Sequence, residues 1–142
     1  MALWFECKVQ YDKLQESGAV KKVNEPYLVD ALTFTEAESR ITEELAKNIS
    51  GDFTISAVKK TRISEIYFDE TGDRYYQVKV NFISFDEKSG KEKKTTNYML
   101  VQAGNIENAL ANFKKGMQGT MADYEVNAIA ETLIMDIFPL NS

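Results

Sequence analysis

The sequence predicts an α+β fold built by internal duplication of a strand–strand–helix–strand (ββαβ) unit. Three observations predict it: two stretches of alternating polarity that align with each other, two polar turns that each lead into a second strand, and two capped amphipathic helices. The repeats run from about residue 5 to 67 and from 76 to 138. We expect a single domain, residues 1–142, with a mainly antiparallel sheet, both helices on one side and a pseudo-twofold axis between the repeats.

Three blocks of the chain recur in the same order. Most aligned positions hold the same or a similar residue in both copies. For example, Leu28-Val29 aligns with Leu100-Val101. Recurrence in order, with only two single-residue shifts, indicates descent from one ancestral unit. The blocks pair residues that are 71 or 72 positions apart: 5–11 with 76–82, 17–31 with 89–103, and 53–67 with 124–138.

The strands are predicted from polarity. Alternate residues are apolar in the first strand of each copy, which predicts a strand with one buried face. Gly18 and Gly90 suit the turns that follow, because glycine accepts a positive φ. The closing strand of each repeat is long, Phe53–Phe68 in the first copy. Its apolar parity switches, which predicts a bulge or bend near Lys59–Thr61.

The helices are predicted from caps and spacing. Thr33 and Asn105 occupy the same aligned position, and both are good N-caps. Gly51 and Gly119 follow the helix ends, where glycine commonly closes a helix. Spacings of three, four and four place each apolar set on one helical face: Phe34, Ala37, Ile41 and Leu45, then Ile106, Ala109, Phe113 and Met117.

Composition favours a cytoplasmic globular protein. The chain is 44% hydrophobic with a net charge of −5, which permits a core and disfavours general attraction to nucleic acid or anionic membrane. Its one cysteine, Cys7, cannot form an internal disulfide. The first residues lack the basic and apolar regions of an export signal, and no apolar run is long enough to span a bilayer.

The residue types disfavour catalysis. Histidine is absent, which removes the commonest general base and metal ligand. Cys7 aligns with Val78 on a predicted inward face, as a buried hydrophobe would. The acidic pair that recurs is Glu65 with Asp136, late on a strand, where a solvent-facing charge is expected. We therefore expect a non-enzymatic protein with no cofactor and no metal. A hydrolase or transferase that works with carboxylates alone is a less favoured alternative to the binding functions described below.

The recurring polar and aromatic residues indicate binding. Opposite the buried face, each first strand carries an aromatic residue, a lysine and an amide, a set that suits base stacking and phosphate contact. This face could also be solvated or packed under another element. Lysines cluster at both hairpin tips, a pattern that also keeps strand edges soluble. The sets are Trp4, Lys8 and Gln10 with Tyr75, Lys79 and Asn81; Lys13, Lys21 and Lys22; and Lys88, Lys91, Lys93 and Lys94.

Trp4–Glu6, Glu25–Ala31 and Phe34–Glu38 resemble an uncharacterised domain family of gut Bacteroidetes and their phages, over nearly the whole chain. The resemblance implies a cytoplasmic bacterial or phage protein and supplies no activity or catalytic residues. From Phe53 onward, the order of four strands and a helix is also similar to the repeat of PUR-type and Whirly-type single-stranded nucleic-acid binders. The chain departs from them in having only two strands before its first helix, so that likeness is an analogy.

The sequence therefore predicts a protein that binds single-stranded DNA or RNA through an aromatic–lysine sheet face and basic hairpin arms. The alternative is a protein-interaction or small-ligand-sequestering module that acts as a homodimer, with Trp4 and the tyrosines as anchors. Tyr11 is a further candidate for base stacking. The predicted contact residues, including a third basic cluster that is not duplicated, are Trp4, Lys8, Lys21, Lys22, Lys59, Lys60, Arg62, Tyr75, Lys79, Lys91, Lys93 and Lys94.

Overall fold

The computed structural model describes residues 3–139, so the extreme ends of the predicted domain, residues 1–2 and 140–142, lie outside the described residues. The predicted α+β class is confirmed: two helices accompany two mainly antiparallel sheets of four strands each, consistent with a duplicated unit. The elements are β1 Leu3–Leu14, β2 Val20–Ala31, α1 Phe34–Ala46, β3 Phe53–Lys60, β4 Ile63–Tyr67, β5 Arg74–Asp86, β6 Lys91–Ala103, α2 Ile106–Gly116, β7 Asp123–Glu131 and β8 Ile137–Phe138.

The chain divides into two compact units. The first runs as far as Thr61 and also takes the segment from Leu133 onward, whereas the second is the continuous stretch Arg62–Thr132. The strand order is β3-β1-β2-β8 in the first unit and β4-β6-β5-β7 in the second. The closing strand of each repeat therefore divides: β3 and β7 stay with their own repeat, and β4 and β8 pair in parallel with β6 and β2.

A threonine marks each crossing point. Thr61 donates both its backbone N–H (2.9 Å) and its hydroxyl (2.7 Å) to the carbonyl oxygen of Trp4. Thr132 donates the same two groups to the carbonyl oxygen of Tyr75, at 2.9 and 2.8 Å. These equivalent bonds in the two copies fix the end of β3 and of β7. The predicted bend near Lys59–Thr61 is confirmed as the point where the chain leaves the first sheet.

The parity switch has a separate cause, a β-bulge in each copy. Lys8 lies opposite Ala57 while Val9 lies opposite Ile55, so Ser56 is an extra residue on the outer strand. The second copy repeats this shift between Lys79 and Val80. One extra residue reverses the facing of those that follow.

Each unit has its own core between one sheet face and one helix. In the first unit Phe5, Cys7 and Val9 pack with Ile41 and other residues of α1. Each predicted helical stripe is buried except for its first residue, since Phe34 and Ile106 are exposed. The predicted N-caps are confirmed: Thr33 accepts from the N–H of Glu36 at 3.1 Å, and Asn105 from that of Asn108 at 2.8 Å.

We expect Gly72→Ala to destabilise the protein by about 1–3 kcal/mol, the usual cost of an overpacked site. A Cβ on Gly72 would lie 2.5 Å from backbone atoms of Ala103, which cannot yield without moving β6. Gly104→Ala is the matched control, because a Cβ there meets nothing within 4 Å. Urea denaturation measures both variants, and equal midpoints would contradict the prediction.

Candidate functional site

The sheet face opposite each helix, here called the second face, changes character along its strands. Near the crossing points it is apolar and buried. Trp4 is 8% exposed and Tyr75 7%, and their neighbours Leu28 and Leu100 are fully buried. The prediction that Trp4 and Tyr75 present open rings for base stacking is therefore wrong. Large apolar rings beside buried leucines gain more from leaving water than from solvent exposure.

A signal for this second buried face was present in the sequence. Tyr27, Leu28 and Val29 are consecutive apolar residues, and all three are buried. A strand with one buried face alternates in polarity, whereas an unbroken apolar run indicates burial on both faces. The aligned run from Met99 to Val101 is also buried throughout.

Farther along the same strands, the second face is polar. Lys8 is exposed and Lys79 half-buried, and both lie beside the bulge. Asn81 accepts a hydrogen bond from the Thr96 hydroxyl at 2.9 Å and donates one to Glu125 at 3.4 Å. Tyr11 faces the helix side instead, where its hydroxyl donates to Glu25 at 2.7 Å. Tyr11 is thus separated from the lysine face.

Beyond this region the hairpins continue as two-stranded ribbons, here called arms 1 and 2 (residues 12–23 and 84–94). Pairing between β1 and β3 ends at Tyr11 opposite Phe53, and pairing between β5 and β7 ends at Ile83 opposite Asp123. In the arms, β1 and β5 therefore have no third strand paired along their outer edge. Their turns contain Gly18 at φ +87° and Gly90 at φ +68°, as predicted.

Some of the predicted cations are already paired. Lys59 lies 3.3 Å from Glu6, and Lys94 lies 3.0 Å from Glu125. The hydrogen bond from Lys94 lowers the pKa of the Glu125 carboxyl. The Arg62 guanidinium lies 5.2 Å from the centre of the Tyr98 ring, a cation–π distance. These three side chains are less available to a ligand than the sequence suggested.

The remaining predicted lysines have no carboxylate within 4 Å in residues 3–139, and all except half-buried Lys79 are exposed. Each arm also carries acids, so its basic excess is small: arm 2 has four lysines against three acidic residues. The arms are thus locally basic within an acidic chain. The unpaired set is Lys8, Lys21, Lys22, Lys60, Lys79, Lys91 and Lys93.

The arms also carry exposed apolar residues that the sequence analysis missed. Leu14 and Val20 are register partners at the tip of arm 1, with 71% and 64% of their surfaces exposed. Phe85 in arm 2 is 68% exposed. Because side chains alternate along a strand, Leu14 shares the second face with Lys8, and Phe85 shares it with Lys79. Phe85 therefore shares a face with Lys79, which lies on β5 before arm 2 begins, whereas Lys91 and Lys93 pair with Asp86 and Ser84 and so face the other side of the arm.

The thiol of Cys7 is an unsuitable nucleophile. Burial is the largest cause that raises its pKa, to about 11, with the nearby carboxylate of Glu38 acting in the same direction. The reactive thiolate is therefore scarce at neutral pH. We expect Cys7 to react with Ellman's reagent at least about a hundredfold more slowly in the folded protein than in urea. A folded-state rate within a few-fold of the urea rate would contradict this.

The two acidic residues that recur, Glu65 and Asp136, belong to different units. Glu65 is exposed on β4, and Asp136 accepts from the N–H of Ile137 at 2.8 Å beside β8. Within residues 3–139, no cluster of three or more acidic or cysteine side chains has an arrangement that could hold a metal ion. Neither of the described helices is long and apolar enough to cross a membrane.

Comparison with known proteins gives a family and no activity. No curated protein and no solved structure matches the chain. The model of an uncharacterised family, described as a domain of unknown function (DUF4494), matches residues 3–140. The match covers both repeats and both crossing points. The chain therefore belongs to the DUF4494 family.

Proposed function

We propose that this protein is a non-enzymatic binder of single-stranded DNA or RNA that contacts its ligand through arms 1 and 2 and the adjoining second face. One observation carries the proposal: both arms extend past their third strand and present unpaired lysines together with exposed apolar side chains. Leu14 and Val20 form an adjacent exposed apolar pair, and a contiguous apolar patch on a surface favours an interaction site.

The chemistry of the arms suits a single strand. Lysines such as Lys21, Lys22 and Lys91 can each neutralise a phosphate. Phe85 can stack on an unpaired base, since every base offers a π-face. Leu14 and Val20 add exposed apolar surface on which the face of an unpaired base can pack. This assignment moves base contact from Trp4 and Tyr75 to the arms.

The net charge of −5 sets the expected strength. The arm lysines attract the phosphates, whereas the net negative charge of the chain repels them. We therefore expect micromolar affinity that falls steeply as the salt concentration rises. Fluorescence anisotropy with a labelled 20-nucleotide strand, at low and at moderate salt, tests the proposal. Absence of binding at about 100 μM protein, or an affinity that does not change with salt concentration, would refute it. A duplex competitor distinguishes single-strand preference.

A second candidate is a protein-interaction module that acts as a homodimer. The observation that favours it is the apolar pair Leu14–Val20, which could anchor a partner protein as well as a base. Light scattering discriminates the two, since a dimer that Leu14→Lys dissociates would support the interaction module. A cytoplasmic setting in gut Bacteroidetes or their phages belongs to this proposal in either form.

A further inference from the structure

The second unit contains a cavity of about 480 Å³ between the end of β4 and α2. It lies on the helix side of the unit, where α2 meets the end of β4. Phe68 supplies an aromatic ring that is 51% exposed, and Lys115 supplies a cation. The full lining is Ile66, Tyr67, Phe68, Asp69, Asn112, Lys115 and Gly116.

The polar wall of this cavity is held in place by a hydrogen-bond network. Asp69 accepts from the hydroxyl and the N–H of Thr71 at 2.6 and 3.0 Å, and from the Asn112 amide at 2.9 Å. The same amide donates to the carbonyl oxygen of Gln102 at 3.1 Å. The hydrogen bonds from Thr71 are the main cause that lowers the pKa of Asp69, so its carboxylate stays ionised. A side chain fixed in this way is preorganised to accept from a ligand.

Two side chains that line the cavity keep acceptor capacity. The Asp69 Oδ2 atom accepts one hydrogen bond in the described chain and has a second lone pair, and no described residue donates to the Asn112 Oδ1 atom. A ligand with two adjacent N–H donors would satisfy both. Among nucleobases, the Watson–Crick edge of guanine provides such a pair through its ring N–H and its amino group.

The opposite wall is shaped by a glycine in the last turn of α2. A Cβ at Gly116 would lie 2.6 Å from the Tyr67 ring, and the Tyr67 hydroxyl lies 3.4 Å from the sulfur of Met117. Glycine weakens a helix, so its presence here accords with the close approach of the ring. The aligned positions of α1 hold Glu43 and Glu44 where α2 has Lys115 and Gly116, so this chemistry is specific to the second unit.

We infer that this cavity binds a guanine nucleotide, with Phe68 stacked on the base, Asp69 and Asn112 on its donor edge, and Lys115 on the phosphate. The inference rests on the proposed function and deepens it, because it gives the protein a base-reading site apart from the arms. Arm lysines would then supply general affinity, and the cavity would supply preference for a guanine.

Titration of the ¹⁵N-labelled full chain with guanosine monophosphate, followed by amide chemical shifts, tests the inference. We expect saturable shifts confined to residues 66–71 and 112–116, with a dissociation constant on the order of 1 mM or lower. Phe68→Ala should weaken binding about tenfold. Lys115→Ala should weaken the nucleotide more than the nucleoside guanosine, whereas Lys114→Ala, its neighbour outside the cavity, should change neither.

Three outcomes would overturn the site. They are no saturable shift at about 10 mM nucleotide, equal binding of uridine monophosphate, or equal shifts with inorganic phosphate alone. The proposed function is tested by a different experiment, in which a labelled strand binds to the protein and to the arm variants, so its failure can be told apart from failure of the cavity site. If the unmodified protein binds labelled strands with no guanine preference while the arm variants still weaken that binding, the arms remain the ligand site and the cavity is removed.

Discussion

Replacing Phe113 with alanine is expected to lower the free energy of unfolding by about 3–5 kcal/mol, the usual cost of deleting a buried ring. Phe113 is fully buried in the core of the second unit. Its ring meets Tyr124 at 5.8 Å and Tyr67 at 6.3 Å between centroids, both edge-on. Alanine would leave a cavity and remove both aromatic pairs. Phe85→Ala, in the same unit but mostly exposed, is the matched control and should cost much less.

Thermal unfolding followed by calorimetry measures both variants. A loss below about 1 kcal/mol for Phe113→Ala would contradict the packing described for α2. The same scan tests the prediction that residues 1–142 form one domain. A single transition that shifts as a whole would support one cooperative domain, whereas a separate early transition in the variant would assign independent stability to Arg62–Thr132.

Removing four arm lysines together is expected to weaken single-strand binding by about two orders of magnitude at low salt. The slope of log affinity against log salt should also become shallower by about 3, since each phosphate contact to a single strand contributes about 0.7. Anisotropy at several salt concentrations measures both quantities. The variant is Lys21→Ala, Lys22→Ala, Lys91→Ala and Lys93→Ala.

The control for this prediction is the double variant Lys47→Ala and Lys114→Ala, which changes net charge on the helices and leaves the arms intact. It should shift affinity only slightly. If the helix variant weakens binding by as much per lysine as the arm variant does, the attraction comes from overall charge. That result would remove the arms from the proposed site.

Local signals predicted much of the fold. The N-caps Thr33 and Asn105 and the buried spacing of Ala37, Ile41 and Leu45 depend on interactions within a few residues, and all are confirmed. Local signals could not predict that β4 and β8 each join the sheet of the other repeat. This exchange depends on pairings such as Leu28 with Ile137, which join residues far apart in sequence.

The candidate site was predicted less well for a related reason. Alternation correctly separates Trp4 and Lys8 from the helix-facing residues, but it does not say which part of the second face is covered. The arms depend on where the third strand stops, at Phe53 and at Asp123. The cavity beside Asp69 was missed because its polar residues Asn112 and Lys115 align with Arg40 and Glu43 and so do not recur between the repeats.

The exchange of closing strands has a consequence for the order of folding during synthesis. The second unit is continuous and holds all of its strands once Thr132 has left the ribosome. The sheet of the first unit needs β8, which is made last. Domains of a nascent chain usually mature from the N-terminus. Here β8 is made after the second unit, so we expect the second unit to complete its sheet before the first unit does.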